Sequence, residues 1–171
     1  MSNDKTNRHI IAAIVDNEFG VLARVVGLFS GRGYNIENLT VAAVNKSKNL
    51  SRITIVTRGS AQVVEQIKAL LERLVPVHKV SDLTIEGEYV ERELALIKVK
   101  GGGEHRIEAL RIADIFRAKV VDSTLESFIF EATGTPDKIN AFIELLEPLG
   151  LLEISRTGVS AMGRGVEYIT V

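Results

Sequence analysis

The sequence predicts an α+β protein with two similar domains, each a strand–helix–strand–strand–helix–strand (βαββαβ) unit. Three observations predict this fold. Apolar runs of strand length alternate with amphipathic helices, glycine and proline mark the junctions, and the second half of the chain repeats the element order of the first. With 171 residues, of which 46% are hydrophobic, the chain can form two small packed cores.

The first predicted domain starts with residues 8–15 (RHIIAAIV), an apolar run of strand length. Apolar residues then recur at helical spacing over residues 20–30, and Gly31 and Gly33 end this helix, as glycine often does at a helix C-terminus. The remaining predicted elements are a hairpin of strands 34–44 and 50–57, a helix 62–74 and a strand 75–83.

The second half of the chain repeats this pattern, beginning with residues 92–99 (RELALIKV), which resemble the first strand. Thr135 is a candidate N-cap and Pro136 suits the first position of a helix over residues 137–146. The other predicted elements are a helix 105–116 and strands 119–123, 127–133 and 149–156.

This element order is the split βαβ arrangement of ferredoxin-like domains. We therefore expect two tandem ferredoxin-like domains, over residues 8–84 and 91–163, joined by residues 85–90. Residues after about Met162 are expected to form a loose tail.

Composition limits the class of protein. The net charge of −1 gives no argument for a nucleic-acid or anionic-membrane partner, and the absence of cysteine excludes disulfides and thiolate metal sites. The polar start MSNDKTN lacks a signal core, and no apolar run approaches the ~20 residues that span a bilayer. We expect a cytoplasmic protein without nucleic-acid or membrane partners.

The glycine-rich segments do not fit a nucleotide site. A dinucleotide fingerprint needs a third glycine where this chain has Ile36, and it must lie between a strand and a helix rather than after a helix. Gly101, Gly102 and Gly103 do lie between a strand and a helix, but no lysine accompanies them, so we interpret them as a tight turn.

Gly20 lies between the first strand and the first helix, where a residue without Cβ lets a ligand approach the backbone. The free N–H groups of the helix start favour an anion, and amides at Asn17 and Asn35 offer donors and acceptors. We expect Asn35 to reach the same edge of the sheet as Asn17, because the first two strands flank the first helix. These groups suit the ammonium and carboxylate of an amino acid, although Gly20 and Asn17 equally fit a simple turn.

Catalytic and metal-binding groups are not predicted. The three histidines, His9, His78 and His105, lie in different elements without ligand spacing, and no nucleophile is accompanied by a base. We therefore predict no catalytic residues and no metal site in this chain.

Residues 16–41 (DNEFGVLARVVGLFSGRGYNIENLTV) and the following LSRITIV resemble the small regulatory subunits of acetolactate synthase, also called acetohydroxyacid synthase. The first domain resembles an ACT domain, a ferredoxin-like module that senses amino acids. DIFRAKVVD and SRTGVSAM resemble the second domain of that family, so the resemblance covers nearly the whole chain.

The resemblance implies a non-catalytic subunit that binds and activates a large catalytic subunit. Thiamine diphosphate, Mg and FAD belong to that catalytic subunit, and no cofactor is expected in this chain. The family also implies a homodimer formed through ACT domains and feedback inhibition by a branched-chain amino acid, usually valine.

By motif, the resemblance implies that the effector lies between two ACT domains. The matching positions are Asn17, Gly20, Val21, Leu22, Asn35 and Ile36. The polar positions would hold the charged ends of the effector and the apolar ones its side chain. Many relatives have a serine where this chain has Ala23, which leaves the strength of the effector open.

Two other functions remain open from the sequence. A stand-alone ACT-type module could regulate a different enzyme or a transcription factor, and the chain could be an enzyme in its own right. Co-purification with a thiamine-diphosphate enzyme separates the first alternative from a small subunit, and an activity assay of the isolated chain tests the second.

Overall fold

The computed structural model describes residues 7–169, so the polar start that the sequence analysis interpreted lies almost entirely outside the described residues. Within this range the chain forms two compact units, residues 7–90 with 159–169, and residues 91–158. Each unit has the βαββαβ order. The predicted α+β fold of two tandem ferredoxin-like domains is therefore confirmed.

The first unit is a four-stranded antiparallel sheet with two helices on one face. Its strands follow the order β2-β3-β1-β4. Because β3 lies between β1 and β2 and is antiparallel to both, β1 and β2 run in the same direction. The elements are β1 (Asn7–Asp16), α1 (Val21–Ser30), β2 (Asn38–Asn45), β3 (Leu50–Gly59), α2 (Ala61–Glu72) and β4 (Val77–Asp82).

The core of this unit lies between the helices and the sheet. Every second residue of β1 points into it, as the alternation of a strand requires, and each helix contributes residues three or four apart. The main buried side chains are Ile11, Ala13, Val15, Val21, Val25, Phe29, Ile53, Ile55, Val64, Ile67 and Leu71.

The second unit repeats this architecture with the strand order β6-β7-β5-β8. Three phenylalanines form part of its core, with the Phe142 ring 5.1 Å from Phe116 and 6.2 Å from Phe130. Its elements are β5 (Tyr89–Lys100), α3 (Gly103–Ile115), β6 (Lys119–Ser123), β7 (Ser127–Gly134), α4 (Pro136–Leu146) and β8 (Leu151–Arg156), with a 3₁₀ turn at Glu147–Leu149 before β8.

The predicted start of α4 is confirmed. Pro136 is its first residue, and the Thr135 hydroxyl accepts a hydrogen bond from the Lys138 N–H at 3.4 Å. The N-terminus of α3 differs, because this helix begins at Gly103 rather than at residue 105. A Cβ at Gly101 would lie 3.2 Å from the Arg106 guanidinium and 3.3 Å from the Phe128 ring, so these neighbours would have to shift slightly.

The C-terminal segment belongs to the first unit. Val159 and Ala161 are buried against Ile10, Ala12 and Val56, on the sheet face opposite the helices. This segment includes a short strand, β9 (Ser160–Gly163). The sequence-based boundary of the second domain at residue 163 therefore differs from the compact unit, which ends at residue 158.

Polar side chains of β2 and β3 hold the backbone of this segment. Asn38 Oδ1 accepts from the Val159 N–H at 2.8 Å, and the Thr40 hydroxyl donates to the Val159 carbonyl at 3.1 Å. The Arg52 guanidinium donates to the Ala161 carbonyl at 2.7 Å, and burial lowers the pKa of Arg52.

The expectation of a loose tail after Met162 is wrong for the described part of that segment. The Arg164 N–H donates to the Glu88 carbonyl at 2.8 Å, and the half-buried Ile169 packs against the apolar cluster on this face. Residues 164–168 are exposed, so this segment is held at Arg164 and Ile169. Thr170 and Val171 lie outside the described residues.

Candidate functional site

Gly20 lies in the turn between β1 and α1, at the junction that the sequence predicts. Gly20 is exposed and left-handed, with φ +82°, a conformation that favours glycine. The first helical hydrogen bond runs from the Arg24 N–H to the Gly20 carbonyl at 3.0 Å. The N–H groups of Leu22 and Ala23 make no hydrogen bond within residues 7–169 and remain available to an acceptor.

Asn17 is exposed and follows β1 directly. Its N–H donates to the Asn49 carbonyl at 2.7 Å, and the Asn49 side-chain amide donates to the Asn17 carbonyl at 3.2 Å. The side-chain amide of Asn17 makes no hydrogen bond to the part of the chain that is described. Its donor and acceptor are both available to a ligand.

Asn35 and Ile36 lie in the loop between α1 and β2, whereas the sequence analysis placed them in a strand. The buried Thr57 hydroxyl donates to the Asn35 carbonyl at 2.6 Å, which anchors the loop and leaves the exposed Asn35 side chain outside. Ile36 is half-buried and packs against the core.

The two halves of the predicted site lie at opposite ends of the sheet. Asp16, next to Asn17, pairs with Leu50 at the start of β3, whereas Thr57 holds Asn35 near the other end of β3. Seven residues of a strand separate these points, about 23 Å at a rise of about 3.3 Å per residue. The expectation that Asn17 and Asn35 share one edge is therefore wrong within a single chain. Because β1 and β2 run in the same direction, the start of β2 and the end of β1 lie at different ends of the sheet.

Of the predicted apolar site positions in α1, only Leu22 exposes its side chain to a ligand. Val21 is 5% exposed and belongs to the core, so its side chain does not face a ligand, while Leu22 is 41% exposed. Helical spacing of the apolar residues alone favours Leu22, with Val25, Val26 and Phe29, for the inward face, which would leave Val21 out. The buried stripe starts one residue earlier, at Val21, with Val25 and Phe29.

Phe19 was missed by the sequence analysis. Its side chain is fully exposed beside Gly20, where an apolar ligand group could cover it. The sequence shows a phenylalanine next to Gly20, but it does not show whether that side chain is exposed, because phenylalanine is more often buried in a core. Ala23 lies on the exposed side of the first turn of α1, as the missing serine would.

This arrangement can bind a small polar molecule. The described residues contain no group of three side chains that could hold a metal ion. No helix between residues 7 and 169 is long and apolar enough to cross a membrane. The groups that converge at the turn are an amide and free N–H donors, which suit a carboxylate.

Comparison with known proteins covers both domains. A family model described as the small subunit of acetolactate synthase matches residues 92–165. A model described as the AHAS small subunit-like ACT domain matches residues 11–79. The two matches follow the two predicted domains.

Individual relatives match the chain over nearly its whole length. A probable acetolactate synthase small subunit of Archaeoglobus fulgidus is 49% identical over 92% of this chain and 98% of that protein. The acetolactate synthase small subunit of Aquifex aeolicus is 50% identical over 94% of this chain and 83% of that protein.

A solved structure shows the same fold. The crystal structure of an acetolactate synthase small subunit from Thermotoga maritima superposes with a TM-score of 0.86 at 38% identity. The match covers 94% of this chain and 99% of that one. With both domains, the sequence relatives and the fold in agreement, the chain belongs to the family of acetolactate synthase small subunits.

Proposed function

We propose that this chain is a dimeric, non-catalytic subunit that binds and activates the thiamine-diphosphate-dependent catalytic subunit of acetolactate synthase. It also makes the enzyme sensitive to valine, the feedback inhibitor in branched-chain amino acid biosynthesis. The observation that carries the valine proposal is the separation of Asn17 and Gly20 from Asn35 by the length of the sheet. Such a site is completed only by a second copy of the chain.

The edge strand β2 supports dimer formation. It has no charged residue, and its valines Val41 and Val44 are 44% and 53% exposed. The opposite edge, β4, carries His78 and Lys79, which protect it from pairing. An uncharged, exposed edge is suited to a partner strand, and the same strand of a second copy provides one.

Two-fold pairing of the β2 strands brings the separated groups to the same interface. In an antiparallel pair, the start of one strand lies beside the end of the other. The Asn35 loop of one copy then lies at the sheet end that carries Asn17 and Gly20 of the other copy. The dimer would contain two such sites, related by the two-fold axis.

The chemistry of the combined site fits a small apolar amino acid. The effector carboxylate would accept from the N–H groups of Leu22 and Ala23, where the helix dipole stabilises an anion by about 0.3–1 kcal/mol. The amide oxygens of Asn17 and Asn35 would accept from the ammonium group. Leu22 and Ile36 offer apolar contacts to the side chain, while Val21 contributes only backbone.

Valine would act by favouring one arrangement of the dimer, which in turn changes the bound catalytic subunit. Such a shift requires that valine bind the two arrangements with different affinity. Linkage then requires the reverse effect, so the catalytic subunit must change valine affinity by the same factor.

Reconstitution with the cognate catalytic subunit tests the proposal. Acetolactate formation should rise when the chain is added and fall when valine is added, with leucine and isoleucine as comparisons. The isolated chain should form no acetolactate. An unchanged rate on addition of the chain would reject the regulatory role. Activation without any response to valine, together with no heat of valine binding, would reject the effector site alone.

A further inference from the structure

A groove runs between the outer surfaces of α1 and α2. Its volume is about 710 Å³. Three half-buried leucines, Leu28, Leu70 and Leu74, line it from both helices. Arginines lie along it, and Gly27 of α1 and Gly31, the C-cap of that helix, complete the lining.

The arginines of the groove have no acidic partner. Arg24, Arg32 and Arg73 are exposed, and none forms an ion pair or a side-chain hydrogen bond within residues 7–169. Arg32 and Arg73 lie at helix C-termini, where the helix dipole stabilises a cation. Arg24 lies in the first turn of α1, where the dipole disfavours a cation, so helix stability does not account for it.

Gly27 is a second feature that the fold of the chain does not require. It lies inside α1, where glycine weakens a helix relative to alanine, and its φ is not positive. A Cβ at this position would meet no atom within 4 Å. The missing side chain therefore leaves space in the groove and gives no close packing within the chain.

We propose that this groove is the docking surface for an acidic segment of the catalytic subunit that also carries apolar side chains. The inference rests on the proposed function, because it assigns a place to the partner named there. The leucines would contact the apolar side chains, the arginines would pair with carboxylates, and Gly27 would allow close approach of the segment. Charge complementarity identifies the partner as acidic.

Other occupants fit the groove less well. A small free anion would leave the three leucines uncovered. A single-stranded nucleic acid would use aromatic side chains for base stacking, and the groove lining contains none. A second copy of the chain is the remaining candidate, and the oligomeric state of the isolated chain distinguishes it.

Three single variants test the groove in the full-length chain. Arg24→Glu and Arg73→Glu reverse charges along the groove, and Gly27→Leu fills it with a residue of high helix propensity. The matched control is Arg111→Glu, an equal charge reversal at an exposed position of α3, where Arg111 pairs only with Glu108 among the described residues. Affinity for the intact catalytic subunit is measured by titration at low and high salt.

The groove variants should weaken this affinity about tenfold or more, as truncation of central interface residues does. Wild-type affinity should fall as salt rises, and the charge-reversed variants should lose part of that dependence. Arg111→Glu should bind like the wild type. Each variant should keep its melting temperature. Arg73→Glu and Gly27→Leu, which lie outside the proposed effector site, should also keep their heat of valine binding.

Wild-type binding with equally tight binding by all three groove variants would overturn the groove assignment. Equal weakening by Arg111→Glu would do the same, since it would indicate a general charge effect. A changed oligomeric state of the isolated groove variants would assign the groove to a second copy instead. Absence of wild-type binding would reject the proposed function itself. Failure of the proposed function can therefore be distinguished from failure of the groove assignment.

Discussion

Asn17 and Asn49 tie the end of β1 to the β2–β3 turn by two reciprocal contacts. The Asn17 N–H donates to the Asn49 carbonyl at 2.7 Å, and Asn49 Nδ2 donates to the Asn17 carbonyl at 3.2 Å. Asn49 is left-handed, with φ 53°, which asparagine tolerates better than most residues. The turn therefore orients the residue that we propose to bind the effector.

Replacing Asn49 should weaken both the fold and valine binding. Asn49→Ala places a Cβ residue in the left-handed region and should reduce the free energy of unfolding by about 1–2 kcal/mol. Asn49→Gly removes the same amide without that strain and should lose less stability. Urea unfolding and valine calorimetry check both variants. Unchanged valine affinity in both would show that Asn49 does not orient Asn17.

Two substitutions of Gly20 separate the effect of backbone strain from the effect of an added charge. Gly20→Ala strains the left-handed backbone and should cost about 1 kcal/mol of stability while keeping a weakened valine response. Gly20→Asp adds a carboxylate that repels the effector carboxylate, so inhibition should disappear while activation remains. Activity of the reconstituted enzyme over a valine titration measures both. A Gly20→Asp enzyme as sensitive as the parent would contradict the site.

Mixed dimers test whether the site is built from two chains. Homodimers of Asn17→Ala and of Asn35→Ala should each lose valine binding, since both of their sites are incomplete. A mixed dimer with one variant of each kind should regain one intact site. Calorimetry of differently tagged, co-purified dimers measures this stoichiometry. No regained site in the mixed dimer would indicate that Asn17 and Asn35 do not cooperate across an interface.

The ion pair between Glu93 and Arg156 should contribute strongly to the stability of the second unit. The Glu93 side chain is 3% exposed and accepts from Arg156, which also donates to Asn140 at 2.9 Å. Arg156→Ala leaves a buried carboxylate without a partner and should reduce the free energy of unfolding by about 3 kcal/mol.

The control for this change is Lys98→Ala on the same sheet. Lys98 pairs with Glu153 at 2.7 Å, but both side chains are exposed to water. Its loss should leave urea unfolding unchanged within error, because exposed pairs contribute little. Similar losses from Arg156→Ala and Lys98→Ala would contradict the importance of burial.

Glu86 should make stability depend on acid pH. Burial alone would raise the pKa of Glu86, but hydrogen bonds from the Ser81 hydroxyl and the Asp82 N–H, with the nearby Lys68 ammonium, together lower it. A lowered pKa contributes stability above the unfolded value, about 4.3 for glutamate, and that stability is lost as pH falls through the folded pKa.

Glu86→Gln should therefore be less stable than the wild type near neutral pH, and the difference should shrink below about pH 4.3. Urea unfolding between neutral and acid pH measures both proteins. A difference that stays constant over this range would exclude the ionised Glu86 as its source.

Much of the fold could be predicted because local patterns determine it. The capping threonine Thr135 and Pro136 begin α4 where the sequence predicts, and the continuous apolar run of residues 8–15 predicts a buried strand at β1. The left-handed turn at Gly20 also follows from residue type. These features depend on residues a few positions apart, so the sequence contains them directly.

The relative positions of residues that are distant in sequence could be known only from the tertiary structure. The sequence identified the amides Asn17 and Asn35, but no local pattern states that β3 separates their strands and sends them to opposite ends of the sheet. Likewise, a short apolar segment at Val159 and Ala161 does not reveal which face it covers. By itself the sequence determined most of the elements and their order, and it named the candidate site residues. The strand register, which depends on contacts between distant residues, decided that Asn17 and Asn35 lie near opposite ends of the sheet within one chain.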